Sequence, residues 1–550
     1  MNDYNQKYKL WQQKVTDEDV KQSLSAMTQE DIKNAFSSEL SFGTGGLRGI
    51  MSAGTDRMNV YTVHRTTVGL AKYMQKHRFN SCAVTFDSRL NSERFSQITA
   101  ATLAQYGITV YLTKECMPTP FLSFMVRYLH CDLGVNITAS HNPSCYNGYK
   151  VYDSNGCQLT DNAANEVTSY IDKVDMFETP LPSFNGSDGK INYIDGSVEQ
   201  AYKQSVLQQT LGNADGLKIV YTPLNGAGHR IVPDVLKTLG VAELNIVPEQ
   251  SYPDGNFETC PYPNPEKAEA LTLAIKLAVE KHADIVIATD PDSDRLGVAV
   301  NNGGNVIQLT GNEVGVLLTD YILNKRKQQG TLPERPVVVK TIVTTKMVDS
   351  VVKEYGAEVI DVLTGFKYIG DVIDKLEQKG EQERFVFGFE ESCGYLKGTY
   401  VRDKDGVVAA ALVAECAAYY KRQGKTLTDR INELYAKYGN YLLETTSYRF
   451  DGADGAEVKR KLLDNLRSNP LSSVAGVKVA SYCDYLTQTV YDLPKANVMR
   501  FSCADGSQLI VRPSGTEPLI KCYVTVVGDK QNNIKRIAEI KAQLADMFAR

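Results

Sequence analysis

The chain has 550 residues, and its 60 lysines and arginines are nearly matched by 65 aspartates and glutamates, leaving a formal net charge of −5. This length exceeds the ~250–300 residues at which a single core stops growing, so three or four domains are expected; the charge balance supplies no basic field for a nucleic-acid backbone. Eleven cysteines from Cys82 to Cys522 without a C-x-x-C pair argue against a disulfide framework or zinc site, and a polar start at Met1 to Lys14, with no apolar run near ~20 residues, predicts a cytoplasmic protein outside the membrane.

One pattern recurs three times: strand, loop, helix ending in an aromatic residue or leucine plus glycine, strand, loop, helix, strand, loop. The first copy runs from Ala83-Val84-Thr85-Phe86 through a helix to Tyr106-Gly107, a strand from Ile108 to Leu112, a helix through Phe124 and a strand from Leu133 to Ile137. The second runs from Leu217 to Tyr221, through a helix to Leu239-Gly240, a strand from Glu243 to Val247, a helix from Pro265 to Lys281 and the apolar Ile285 to Ala288. The third runs from Val337 to Ile342, through a helix to Tyr355-Gly356, a strand from Glu358 to Leu363, a helix to Leu376 and a strand from Phe385 to Phe387. From about Asn440 the character changes: helices at Glu457 to Arg467 and near Asn532 to Phe548 accompany strand-like stretches at Val477 to Tyr485 and Leu519 to Val526.

Short, nearly continuous apolar strands alternating with helices predict an α/β protein. The expected architecture is three similar α/β domains with mostly parallel mixed sheets plus a C-terminal α+β domain, arranged around one central cleft. The domains are placed at 1–208, 209–308, 309–432 and 433–550. Ligands of such sheets bind at the carboxyl ends of the strands, where all three distinctive loops fall.

Seven segments carry candidate chemistry. Phe42-Gly43-Thr44-Gly45-Gly46-Leu47-Arg48-Gly49 offers backbone N–H groups and one guanidinium to an anion, without the Lys-Ser/Thr ending of a P-loop. Thr138-Ala139-Ser140-His141-Asn142-Pro143 follows an apolar strand and is ended by the Asn-Pro turn, so Ser140 sits beside His141 on a strand-end loop. That suits a serine that carries a group, although Ser and Asn in such turns also simply satisfy backbone groups. Lys150 and Lys367 lie in glycine-containing loops, where they are either solvated surface residues or, in a phosphate-rich cleft, groups that transfer protons and balance charge.

Asp290, Asp292 and Asp294 alternate along an extended segment, so that their carboxylates converge on a hard cation such as Mg²⁺. An EF-hand is excluded because its sixth and twelfth positions would be Arg295 and Asn301. Glu390 and Ser392, in Gly388-Phe389-Glu390-Glu391-Ser392, pair an acceptor with a hydroxyl, as sugar recognition requires; adjacent carboxylates in one loop rarely flank a single glycosidic bond. Arg512-Pro513-Ser514-Gly515-Thr516-Glu517-Pro518, between two strands, presents a guanidinium fork and hydroxyls to a dianionic phosphate.

Taken together, TASHNP at Thr138 to Pro143, DPDSDRLG at Asp290 to Gly297, GFEES at Gly388 to Ser392 and RPSGTEP at Arg512 to Pro518 resemble the α-D-phosphohexomutase superfamily in order and spacing, over nearly the whole chain from FGTGGLRG onward. Within it the chain looks like the phosphoglucomutase and phosphomannomutase branch, which also includes phosphopentomutases and sugar-bisphosphate synthases. The resemblance implies a phosphoserine at Ser140 and Mg²⁺ held by Ser140, Asp290, Asp292 and Asp294. It implies Glu390 and Ser392 on sugar hydroxyls, with Arg512, Ser514, Gly515 and Thr516 on the non-reacting phosphate. Arg48 and Arg295 would stabilise the moving phosphoryl group. His141, Lys150 and Lys367 are the candidates for proton transfer, and some relatives carry histidine at the position of Phe366 instead of lysine at that of Lys367.

The implied activity is interconversion of hexose 1-phosphate and hexose 6-phosphate, glucose favoured and mannose possible, with a sugar 1,6-bisphosphate as activator. The partners expected are small-molecule sugar phosphates, with no nucleic acid and no membrane, for a monomer or small homo-oligomer. Two other classes account for less of the chain. A haloacid-type phosphatase would use Asp290-x-Asp292 but leave TASHNP idle, and a non-enzymatic sugar-phosphate sensor would leave the serine, metal ligands and lysines unexplained.

Overall fold

A computed structural model describes residues 3–43, 45–186, 188–450, 454–488, 493–514 and 519–548. They form two compact units: residues 1–318 with 366–426, and residues 319–365 with 427–550. The third repeat is therefore shared between the units, its first two strands in one and its last in the other.

The first unit opens with three helices that the polar composition of the N-terminus concealed. They are Asp3–Lys14, Glu18–Ser25 and Gln29–Phe36, the last two set by local capping: the Asp17 carboxylate accepts from Val20 N–H, and Thr28 and Asp31 form a capping box. Their buried anchor is Trp11, whose ring meets Phe36, Tyr61 and Phe177 with centroids 5.5, 5.6 and 5.6 Å away.

A six-stranded sheet follows, in the order Leu47–Ile50, Tyr146–Asp153, Leu133–Ile137, Ser81–Phe86, Thr109–Leu112, Ile191–Tyr193. Its second half is parallel, as the apolar runs predict, whereas the first two strands are antiparallel. The five-stranded sheet of the second repeat has the same plan: Asn305–Leu309, Leu296–Asn302 and Ile285–Thr289 are antiparallel, then Lys218–Thr222 and Glu243–Ile246 join in parallel. In the third repeat Phe385–Glu390 turns back into Gly394–Leu396, again antiparallel.

The loops after Ile137, Thr289 and Glu390 are thus each the connection of an antiparallel hairpin. The return strands, absent from the sequence reading, hold these loops at both ends. A helix at Gly406–Lys421, almost entirely buried, packs behind the loops; Asp405 caps it, and Gly406 N–H donates to Ser293 C=O at 3.0 Å. The helix expected from Pro265 begins only at Thr272, after a 3₁₀ turn at Ala268–Leu271. Pro265 is occupied otherwise: its carbonyl accepts from Gln308 Nε2 at 3.0 Å.

In the second unit Val337–Thr341 and Glu358–Val362 pair in parallel. The C-terminal sheet, Asn440–Arg449, Leu519–Gly528, Gln508–Pro513, Met499–Cys503, Val477–Asp484, Ser473–Val474, is antiparallel throughout, with helices Gly455–Ser468 and Lys530–Phe548 contributing to its core. This is the α+β domain expected. Among the described residues no helix is long and apolar enough to cross a membrane.

Candidate active site

Ser140 stands three residues beyond the strand Leu133–Ile137 with φ +53°, a left-handed conformation that costs a non-glycine residue about 1 kcal/mol. It is buried, not on the surface. Its N–H donates to Thr138 Oγ1 at 2.8 Å, and its hydroxyl donates to Asp290 Oδ2 at 2.8 Å. His141 Nδ1 lies 3.2 Å from the same hydroxyl oxygen. Burial and the positive charges of Arg295 and Arg48 push the His141 imidazole well below its ordinary value, so it is neutral at neutral pH.

The three aspartates converge through a turn rather than an extended segment. Ser293 has φ +52° and donates its N–H to Asp290 C=O at 2.9 Å, while Asp290 Oδ1 accepts from the N–H groups of Asp294 and Arg295 at 3.1 and 3.0 Å. The turn folds around the first carboxylate. One oxygen from each of the three lies within 4.8 Å of the others, and all three side chains are buried.

Asp292 Oδ2 is saturated: it accepts from Thr119 Oγ1 at 2.8 Å, Thr138 Oγ1 at 3.1 Å and Lys150 Nζ at 2.9 Å. Asp292 Oδ1 and Asp294 Oδ1 are buried and accept no hydrogen bond. Burial and the neighbouring carboxylates push Asp290 and Asp294 up; at Asp292 burial acts in the same sense, but the Lys150 ammonium overrides it and holds that group well below the usual range. Three buried carboxylates at this spacing cannot all ionise without a cation. An all-oxygen donor set with two unused acceptors fits a hard divalent ion.

Lys150 does not lie in a loop. It sits within the strand Tyr146–Asp153, opposite Asn136, and its side chain is buried with Nζ also 3.8 Å from Asp294. Lys367 opens the helix Lys367–Gln378 and forms an ion pair with Asp161.

Arg295 Nη1 donates to Glu266 Oε1 at 2.6 Å and to the Ser392 carbonyl at 2.8 Å, joining the aspartate loop to the loop that carries Glu390 and Ser392. Arg48, on the strand Leu47–Ile50, donates to Asn142 Oδ1 at 3.2 Å. The first unit therefore gathers Ser140, His141, Lys150, the three aspartates, Arg48, Arg295, Glu390 and Ser392 from segments far apart in sequence.

Models of phosphoglucomutase/phosphomannomutase domains match in chain order: alpha/beta/alpha domain I over residues 39–178, domain II over 193–304, domain III over 310–438 and the C-terminal domain over 457–546. This chain belongs to the phosphoglucomutase/phosphomannomutase family. It is a member of a family of phosphosugar mutases, and 36% of residues are identical to a phosphoglucomutase of Staphylococcus aureus strain MRSA252 over 94% of this chain and 95% of that one. The fold is shared with a phosphoglucomutase/phosphomannomutase family protein of Burkholderia thailandensis (19% identity, TM-score 0.70, 93% and 98% of the two chains). It is shared also with the phosphoglucomutase parafusin of Paramecium in its open form (17%, 0.68, 93% and 96%).

The segment of this phosphoglucomutase/phosphomannomutase family member that is the candidate for phosphate binding lies in the second unit. Arg512 lies one residue before the end of the strand Gln508–Pro513, opposite Lys521, and Ser514 N–H donates to Leu519 C=O at 2.9 Å; Lys459 Nζ donates to the Ser514 carbonyl at 3.3 Å. Gly515 and Thr516 lie outside the described residues.

Several site residues escaped the sequence reading. Thr119 and Thr138 orient Asp292. Lys404 Nζ lies 3.2 Å from Asp294 Oδ2, 3.0 Å from Asp403 Oδ1 and 5.6 Å from the centre of the Phe366 ring. Burial alone would lower the Lys404 ammonium, but Asp294, Asp403 and Glu390 hold it up, so it stays charged. The alternating charges Arg402-Asp403-Lys404-Asp405, set directly before an apolar helix, were the available signal.

Proposed function

We propose that this chain interconverts hexose 1-phosphate and hexose 6-phosphate, with glucose the favoured sugar and mannose accepted, by way of a phosphoserine at Ser140 and a bisphosphorylated sugar. The observation that carries this reading is the Ser140 hydroxyl 2.8 Å from Asp290, inside a buried carboxylate cluster that retains two unused oxygens. The S. aureus relative bears the name phosphoglucomutase, which supports glucose.

In the proposed cycle phosphoserine 140 gives its phosphoryl group to the free hydroxyl of a sugar monophosphate, whose proton passes to a neighbouring base. The bisphosphate turns around and returns its other phosphate to Ser140 Oγ. A Mg²⁺ held by Asp290, Asp292 and Asp294 with the Ser140 phosphoryl oxygen would neutralise charge on the moving group. Arg295 and Arg48 do the same from the protein side. His141, neutral and closest to Oγ, is the leading proton carrier; Lys150 and Lys367 are each committed to a carboxylate. Glu390 and Ser392 read sugar hydroxyls, and Arg512, Ser514, Gly515 and Thr516 hold the phosphate that is not reacting. All eleven cysteines are thiols rather than disulfides, in accord with a reducing cytoplasm.

A panel of hexose and pentose 1- and 6-phosphates, assayed with Mg²⁺ and a trace of bisphosphate, tests the reading together with intact mass. Isomerisation of glucose 1-phosphate with one phosphate on Ser140 is expected. Preference for a pentose would make the chain a phosphopentomutase, net release of bisphosphate a synthase, and binding without turnover a sensor.

A further inference from the structure

Beneath the Ser140 loop lies an arginine that the reaction as described does not use. Arg89 follows the strand Ser81–Phe86 and is 3% exposed. Its Nη1 donates to the carbonyls of Pro143 at 2.8 Å and Tyr146 at 3.2 Å, and its Nη2 donates to those of Ser140 and Asn142. Nε stands 3.2 Å from Asp87 Oδ2. The other Asp87 oxygen accepts from Arg89 N–H at 3.0 Å and from Ser92 Oγ at 2.7 Å, so the counter-charge is itself fixed. The ring of Phe257, from the second repeat, covers the guanidinium with its centroid 5.1 Å from Cζ.

One rigid planar fork thus gathers four carbonyls between residues 140 and 146, which only the five N–H groups of an arginine can do. The remaining restraints on the loop are single bonds: Ser140 N–H to Thr138 Oγ1 at 2.8 Å, Ser140 Oγ to Asp290 Oδ2 at 2.8 Å, Asn142 N–H to Ala139 C=O at 3.2 Å, Tyr146 N–H to Pro143 C=O at 3.0 Å, Met51 N–H to Cys145 C=O at 2.7 Å and Arg48 to Asn142 Oδ1 at 3.2 Å. Two of the four clamped carbonyls belong to Ser140 and Asn142, which flank His141.

We propose that Arg89 is the positioning residue of the phosphoryl-carrying serine: it holds Ser140 in its left-handed conformation and aims Oγ at the carboxylate cluster. It touches neither substrate nor the reacting atoms. The inference rests on the reading of Ser140 given above, and the experiment separates the two.

Intact mass of the wild-type protein after exposure to glucose 1,6-bisphosphate decides the reading first, since absence of a phosphate on Ser140 overturns both. Arg89→Lys then keeps the charge but has three N–H donors for four carbonyls. Its kcat should fall by at least ~30-fold while KM for the sugar phosphate moves by less than about threefold, the pattern of a misaimed nucleophile rather than a lost binding contact. Amide exchange over residues 139–146 should rise by about tenfold or more while the strand Leu133–Ile137 keeps its protection. A phosphorylated wild type with Arg89→Lys kcat within about threefold, or with unchanged loop exchange, overturns the inference alone. Should the variant fail to fold, wild-type exchange at Asn142 and Tyr146 decides. Protection within about tenfold of the strand supports the clamp, and exchange at open-loop rates overturns it.

Discussion

Lys150 Nζ donates to Asp292 Oδ2 at 2.9 Å across 142 residues of sequence, in a buried contact between the first and second repeats. The same oxygen accepts from Thr119 and Thr138, so the serine-bearing domain uses up one side of this carboxylate and leaves the other to the carboxylate cluster. The contact ties the strand Tyr146–Asp153 to the aspartate loop.

Lys150→Met removes the ammonium but keeps most of the volume. Breaking one partner from a buried pair costs ~3–5 kcal/mol, so stability measured in a chelator should fall by about that amount. Added Mg²⁺ should restore part of it by neutralising the same carboxylates. Chemical denaturation with and without Mg²⁺ makes the comparison, and a loss that Mg²⁺ leaves untouched would show that the lysine and the cluster are energetically separate.

Ser140→Ala should lower mutase turnover by at least ~1,000-fold, because the covalent step loses its nucleophile. Since Ser140 is buried and donates to Asp290, the change also removes a hydrogen bond and should cost ~1 kcal/mol of stability. Near-normal turnover, followed by coupled assay, sinks the phosphoserine cycle.

Asp292→Asn removes both a ligand and a negative charge from a hard-cation site. The Mg²⁺ concentration giving half-maximal activity should rise by ~tenfold or more, and calorimetric Mg²⁺ binding should weaken in step. If binding and rate both stay unchanged, the aspartates serve another purpose.

His64 sets a pH limit on the fold. Its Nδ1 is 2.9 Å from Thr102 Oγ1 and its Nε2 is 2.8 Å from Thr179 Oγ1. The Thr102 hydroxyl gives its only proton to Ile98 C=O, so Nδ1 donates to it, and in the neutral imidazole Nε2 accepts from Thr179 Oγ1. Burial pushes His64 from 6.5 down to about 4. The unfolded chain therefore binds the extra proton first as pH falls, and the stability from this group is complete above pH 6.5 and lost between 6.5 and about 4, at no more than ~1.4 kcal/mol per pH unit. Denaturation midpoints of wild type and His64→Gln across pH 4–7 check this: the wild-type slope should be steeper, and parallel slopes would refute it.

Arg512→Ala should raise KM for the sugar phosphate and reduce turnover together, because the proposed contact both binds substrate and completes the site. Hydrogen exchange with and without sugar phosphate reads the proposed phosphate contact directly. Identical protection over the strand Gln508–Pro513 in the two states would remove that contact, whatever the kinetics showed.

The parts of this protein legible in the sequence are those written by local chemistry. Strands such as Leu133–Ile137 and Ile285–Thr289 are mostly apolar because both faces are covered, and turns announce themselves through Asn142-Pro143 or the run of aspartates. These signals located the serine, the acidic cluster and the sugar loop, and their order supplied the family. What the tertiary structure decided depends on partners distant in the chain. Tyr146–Asp153 mixes aromatic, glycine and charged residues, so nothing in its pattern marks it as a strand; pairing with Leu133–Ile137 makes it one and buries Lys150 against Asp292. Trp11 reads as part of a polar N-terminus until Phe36, Tyr61 and Phe177 close around it. Arg89 looks like a surface charge after a strand, because the four carbonyls that bind it belong to backbone more than 50 residues away, and backbone carbonyls leave no trace in the sequence.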